Sequence, residues 1–276
     1  MSISFDPDGH GGWTVMLDGQ PQSHVDLADP GLVTFEYVQH FTLAIDACAP
    51  AAPASVRVTH VGGAGLTLAR WVQHTRPGSP QIVLEPNAAL TTAVRERLPL
   101  PRGHRIRVRP LDGRTGVSGL APGSADVVVL DAYAAGRVPA ELATPAFLAD
   151  VARVVAPGGL LLANLADEPG LRWAARVLAT LAAIDGFGEM AVMATHDVLK
   201  GRRFGNLVAV ASRSASDDVP RLDLEVLRRA VASAPIPTGI RSGAEVTRLI
   251  AGARPFTDAD VLPSPAPPDP GAWRVR

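Results

Sequence analysis

From residue 55 the chain alternates short apolar runs with amphipathic stretches, and this rhythm restricts the fold more than any other feature. Residues 56–61, 81–85, 105–110, 125–131, 160–164, 189–195 and 205–211 read as seven strands. Helices are expected at 66–74, 88–98, 145–155 and 171–184. Strands joined through helices run parallel, with helices covering both faces of the sheet. The run Ala125-Asp-Val-Val-Val-Leu-Asp131 is nearly all apolar, as a strand buried on both faces requires. Pro157-Gly158-Gly159 is expected to end the helix before the fifth strand. No clear helix separates the last two strands, so an antiparallel hairpin at the sheet edge is expected.

The flanking segments differ. Residues 1 to about 30 read as short strands and turns, with a strand at 13–17 followed by the turn signal Asp18-Gly19. Leu32, Phe35, Tyr37, Val38, Phe41 and Ile45 recur at helical spacing, predicting a helix over 31–48 that leads into the main domain. Two weaker helices are expected within 222–254, and 263–271 is a Pro-rich extended tail. The domain reading is therefore 1–48 for the small β region and its helix, 49–262 for the main α/β domain, and 263–276 for the tail.

Composition narrows the function classes. Net charge is −1, so no global field draws the chain to nucleic acid or to anionic lipid. The basic run Arg102–Arg109 suits a strand with solvated arginines better than an anion-binding patch. Cys48 stands alone, which rules out an internal disulfide and a cysteine-based metal site. The seven histidines are scattered, and no metal is expected. The first residues lack a basic region followed by an apolar run, and no apolar stretch is long enough to span a bilayer. A cytoplasmic location and no membrane partner are the expectations.

Four features at four successive strand ends agree on one kind of ligand. Gly62-Gly63-Ala64-Gly65 follows the first strand and opens a helix, forming a Rossmann-type nucleotide-binding unit. Gly62, Gly63 and Gly65 permit tight backbone geometry and close approach to a ligand. Glu85 ends the second strand, where an acid can accept hydrogen bonds from ribose hydroxyls. Asp112 follows the third strand and can accept from an adenine amine, with Gly113 leaving room for the ring. Asp131 ends the fourth strand, where a carboxylate can hold a cation or take a proton. The loop is not Gly-x-Gly-x-x-Gly and there is no phosphate loop, which favours an adenosine with a small tail over a dinucleotide or ATP.

With these residues in place the chain resembles the spermidine synthase family of polyamine aminopropyltransferases, from about Leu17 to Val261. Leu17-Asp-Gly-Gln-Pro-Gln22 is similar to the family's strand and turn ending in a glutamine, and Glu36-x-x-x-His40 to its lead-in helix. Val61-Gly-Gly-Ala-Gly65, Glu85, Asp112-Gly113 and Asp131 match its loop, nucleoside acids and catalytic acid. Gly201–Asn206 and Pro255–Asp260 also look like family segments.

The resemblance implies a Rossmann-like methyltransferase-type sheet with a small N-terminal β domain, commonly dimeric. It also implies decarboxylated S-adenosylmethionine as cosubstrate, an amine acceptor, and Gln22 among the nucleoside-binding residues. The chain departs from the family on the acceptor side. Its Asp-Ser-Ser-Asp-Pro-like motif reads Asp131-Ala-Tyr-Ala-Ala135, its Tyr-His pair becomes Thr34-Phe35, and the loop acid becomes Ala64. Tyr133 is placed in the altered acceptor slot or in packing. Three readings follow: aminopropyl transfer to an amine, methyl transfer from S-adenosylmethionine itself, and a non-catalytic binding or scaffolding role.

Overall fold

The computed structural model describes residues 2–214 and 222–268. The last residues of the predicted Pro-rich tail, 269–271, lie outside them. Strands β1 (Ile3–Pro7), β2 (Gly12–Leu17) and β3 (Gln20–Asp26) form a three-stranded antiparallel sheet. Asp18 and Gly19 take φ values of +48° and +76°, the pair of left-handed positions that a two-residue type I′ hairpin needs. One face of this sheet buries Val15 and Val25 against Leu90 and Val94 of helix α3 (Ala88–Arg97). Arg97 stacks on Trp13, 4.1 Å from the ring centroid, at the edge of that contact.

Helix α1 (Glu36–Cys48) starts later than the apolar spacing predicts. A turn at 29–32 precedes it instead, because the Asp29 carboxylate accepts from Gly31 N–H at 3.0 Å and the Asp29 carbonyl from Leu32 N–H at 3.0 Å, and 33–35 follow without helical structure. The apolar face of α1 packs on the large sheet through Val38, Phe41, Ala44 and Ile45.

The seven expected strands are all present: β4 (Val58–Val61), β5 (Gln81–Leu84), β6 (Ile106–Arg109), β7 (Ala125–Leu130), β8 (Val155–Asp167), β9 (Phe187–Thr195) and β10 (Gly205–Arg213). An eighth, β11 (Thr238–Ser242), joins them between the two weak helices α8 (Leu224–Ala232) and α9 (Ala244–Ile250), the short α7 (His196–Leu199) lying earlier between β9 and β10. The order is β11-β9-β10-β8-β7-β4-β5-β6. Strands β6, β5, β4, β7 and β8 pair in parallel. β10 lies antiparallel between β8 and β9, and β11 rather than the β9–β10 hairpin forms that edge. At the other edge stands β6, where the solvated Arg107 of the basic run discourages edge-to-edge pairing.

Helix α5 (Pro145–Val154) passes straight into β8, so Pro157-Gly158-Gly159 does not end a helix but lies inside a strand. Register slips where β7 meets this stretch. Gly159 allows the close approach there, since a Cβ would sit 2.7 Å from the Asp126 carbonyl oxygen. Helices α2 (Thr67–Thr75), α1 and α8 cover one sheet face; α4 (Gly113–Ser118), α5 and α6 (Arg172–Ala182) cover the other. Two aliphatic cores result, and strand side chains such as Val127 and Val128 alternate between them.

Candidate active site

The order of strand addition reverses between β4 and β7. From β4 the chain builds outward through β5 and β6, then returns to add β7 and β8 on the opposite side. Doubly wound sheets bind ligands beyond the strand carboxyl ends at this point. Register sets the residues there in one row. Val61 pairs with Leu84 and with Leu130, and Leu130 with Ala163. The next residue on each strand is therefore Gly62, Glu85, Asp131 and Asn164. The row is locked by Gly62 N–H donating to the Leu84 carbonyl at 2.9 Å and Asp131 N–H to the Val61 carbonyl at 2.8 Å.

Gly62 is irreplaceable on two grounds: φ is +95°, and a Cβ would lie 2.1 Å from the Asp131 carbonyl oxygen. The other glycines make room for protein, not open cleft. A Cβ on Gly63 would meet Val83, one on Gly65 would meet Ser23 and Val15, and one on Gly113 would meet Val61 and Leu142. Close packing of strand, loop and helix is thus the reason for glycine at these three positions. Ala64 and Leu66 also adopt positive φ, +36° and +63°.

Glu85 braces the loop. One carboxylate oxygen accepts from Gly63 N–H at 3.1 Å and Ala64 N–H at 3.2 Å, the other from Asn87 N–H at 2.9 Å. A carboxylate has about four acceptor positions, so room for a ribose hydroxyl remains. Asp112 caps α4, accepting from Thr115 N–H at 2.8 Å, and is exposed beside the exposed Leu111. Those helix-cap bonds hold its carboxyl below the usual range. Gln22 is half-buried on β3, and its amide turns back to the Gln20 carbonyl at 3.3 Å.

The neighbouring Ser23 is the N-terminal sheet's link to the loop, its hydroxyl accepting from Gly65 N–H at 2.9 Å. Thr67 donates to the His24 carbonyl at 2.6 Å, and Arg70 donates from Nε to the Gly65 carbonyl at 3.1 Å. Ser23, Thr67 and Arg70 carry no motif; only contacts between distant segments reveal them.

Asp131 has the most perturbed chemistry of the row. Its carboxylate accepts from the Asn164 amide at 2.9 Å, and the Tyr37 hydroxyl lies near it. Burial pushes its pKa up to about 6, and these two neighbouring groups restrain the rise. Burial and the nearby Asp131 charge push both the Tyr37 and Tyr133 hydroxyls well above their ordinary range, so they stay protonated as donors. The Tyr133 hydroxyl donates to the Asn164 carbonyl at 3.4 Å. The Oδ1 of Asn164 is buried with no hydrogen-bond partner. The apolar spacing assigned Tyr37 to the helix core; its hydroxyl, which needs a partner once buried, is the signal that it does more. Asn164 gives a similar signal, a polar end to the apolar run Leu160–Ala163.

After Asp131 the loop carries no further acid before Glu141. Asp131 is followed by Ala132, Tyr133, Ala134 and Ala135, and the loop tip is Ala64. Ala134 and Arg137 close a two-residue hairpin, with Ala135 at φ +50° and Gly136 at +73°. Among the described residues no cluster of His, Cys, Asp and Glu is arranged to hold a metal, and no helix is long and apolar enough to cross a membrane.

The chain is 30% identical to a probable spermidine synthase from Corynebacterium glutamicum, with TM-score 0.82 over 93% of this chain and 92% of that one. A spermidine synthase in complex with the transition state analogue AdoDATO shares the fold at 16% identity and TM-score 0.59, over 90% of this chain and 83% of that one. Human methyltransferase-like protein 13 in complex with SAH does so at 19% identity and TM-score 0.54, over 83% of this chain and 98% of that one. No protein-family model matches the chain, and no curated protein does.

Proposed function

Because the chain belongs to the spermidine synthase family, we propose that it binds decarboxylated S-adenosylmethionine and transfers the aminopropyl group to an amine with one cationic end. Asp131 carries this reading: a carboxylate where the strand order reverses, oriented by Asn164 beside Tyr37, with its pKa raised to about 6 by burial. A base poised near neutral pH is ionised when needed and still basic enough to take a proton. The acceptor nitrogen attacks the carbon beside the sulfonium. The carbon–sulfur bond breaks, its electron pair stays on sulfur to give a neutral thioether, and the nitrogen's proton passes to Asp131. Gly62, Gly63, Gly65, Glu85, Asp112 and Gly113 form the nucleoside side in this reading, and Gln22 its flank.

The acceptor is inferred from what the slot lacks. A diamine's far ammonium needs a counter-charge, and leaving it buried without one costs several kcal/mol. The alanine at 134 offers none. Ala64 also favours a second reading, methyl transfer from S-adenosylmethionine, because a loop tip without an acid tolerates the methionine carboxylate. Incubation with each nucleoside and a panel of monoamines and diamines, read by mass spectrometry, separates the two. The first reading predicts a methylthioadenosine by-product and an aminopropylated monoamine; S-adenosylhomocysteine alone contradicts it.

A further inference from the structure

The loop that starts at Asp131 is tied from behind by the C-terminal segment. Ser264, 0% exposed, donates its backbone N–H to the Val138 carbonyl at 3.1 Å, and its hydroxyl accepts from Val138 N–H at 2.9 Å. Arg137 Nε donates to the Ser264 carbonyl. These bonds fasten the base of the Ala134–Arg137 hairpin, and Pro267 stands over Gly136 at its tip. The segment itself is fixed to α6: Trp173 donates from Nε1 to the Leu262 carbonyl at 2.8 Å, and buried Phe256 donates its N–H to Thr180 at 2.8 Å. Arg176 adds an ion pair to Asp260 at 2.8 Å and lies over the Phe256 ring, 4.0 Å from its centroid.

A Pro-rich strap with a fully buried serine at its centre is more than packing requires. Every polar atom of Ser264 in these contacts is spent on the two residues that end the acceptor loop. Beyond the Ala134–Arg137 backbone pair, the alanines of this loop add no side-chain hydrogen bonds, and two of its residues sit at positive φ. We propose that residues 262–268 are a strap that holds the acceptor loop closed, and that Ser264 is a positioning residue for Asp131 and Tyr133, acting through Val138 and Arg137. The acceptor wall is thereby built before substrate arrives, instead of being ordered by it. The part played in turnover rests on the aminopropyl-transfer reading; the strap itself does not.

The test compares the full-length protein with its Ser264→Ala and Trp173→Phe variants, each of which cuts one tether without touching the nucleoside side. Amide exchange at residues 134–138 rises about ten-fold in Ser264→Ala, as loss of one buried hydrogen bond predicts, and rises in Trp173→Phe as well. Affinity for methylthioadenosine stays unchanged, while acceptor KM rises and kcat falls in the transfer assay. Unchanged exchange in both variants overturns the strap. Faster exchange with unaltered KM and kcat overturns the positioning role. Faster exchange in a protein that transfers nothing, wild type included, supports the strap and removes the proposed function.

Discussion

Glu85→Ala separates two roles for one carboxylate. Sequence spacing assigns Glu85 to the ribose, whereas the structure gives it three backbone N–H groups, from Gly63, Ala64 and Asn87. Hydrogen bonds to a charged acceptor contribute about 1.5–3 kcal/mol each when buried. Glu85 is only half-buried, so water recovers much of this, and about 1 kcal/mol per bond is the appropriate scale. The three bonds sum to about 3 kcal/mol, and a chain of this size loses about 2–4 °C of Tm per kcal/mol. Thermal unfolding of the ligand-free Glu85→Ala protein therefore shows Tm lower by about 6–12 °C. Calorimetry shows nucleoside affinity reduced about ten-fold or more, because the loop is released as well as the ribose contact. Glu85→Gln falls between, since its NH2 faces the Asn87 donor. An unchanged Tm with weakened binding refutes the brace and returns Glu85 to the ribose alone.

Other predictions concern single residues. Ala135→Asn places a residue that tolerates φ of +50° before Gly136 and raises Tm by a few degrees, about 1 kcal/mol; a lower Tm contradicts the turn. Gly62→Ala forces a Cβ to within 2.1 Å of the Asp131 carbonyl oxygen and costs more than about 3 kcal/mol, read by denaturant unfolding or by loss of soluble protein. Asp131→Asn abolishes transfer by about 10²–10⁴-fold, and the wild-type rate falls as pH drops through about 6; an acid limb surviving in Asp131→Asn assigns it elsewhere. Stability follows the same group with the opposite sense. The folded pKa lies above the unfolded one, so ionising Asp131 costs the fold nothing below about pH 4 and about 3 kcal/mol above pH 6. Asp131→Asn is thus more stable than wild type at pH 8 and equal to it at pH 3.5, whereas equal stability at both pH values contradicts the buried-charge reading.

The sheet was legible because fully buried parallel strands leave unbroken apolar runs, and Val127–Leu130 is such a run. The eighth strand was not, because Thr238-Gly-Ile-Arg-Ser242 has neither apolar run nor clean alternation; it is a strand only because β9 offers an open edge. Pro157-Gly158-Gly159 has the composition of a helix stop, and local chemistry gives no sign that it lies within the strand β8. In the site, Gly62, Glu85 and Asp131 were legible because strand ends in this topology converge. Tyr37 and Asn164 were not, because they sit within a helix and a strand patterned for the core and only the fold brings them to Asp131. The strap at Ser264 spans more than a hundred residues of sequence, a pairing that no local pattern encodes.

Calorimetric titration with decarboxylated S-adenosylmethionine and, side by side, with S-adenosylmethionine tests the central claim most directly. The account predicts tighter binding of the decarboxylated form, whose tail lacks the carboxylate that Asp131 would repel. Tighter binding of the intact form contradicts aminopropyl transfer and makes methyl transfer the function; binding of neither contradicts the nucleoside site itself.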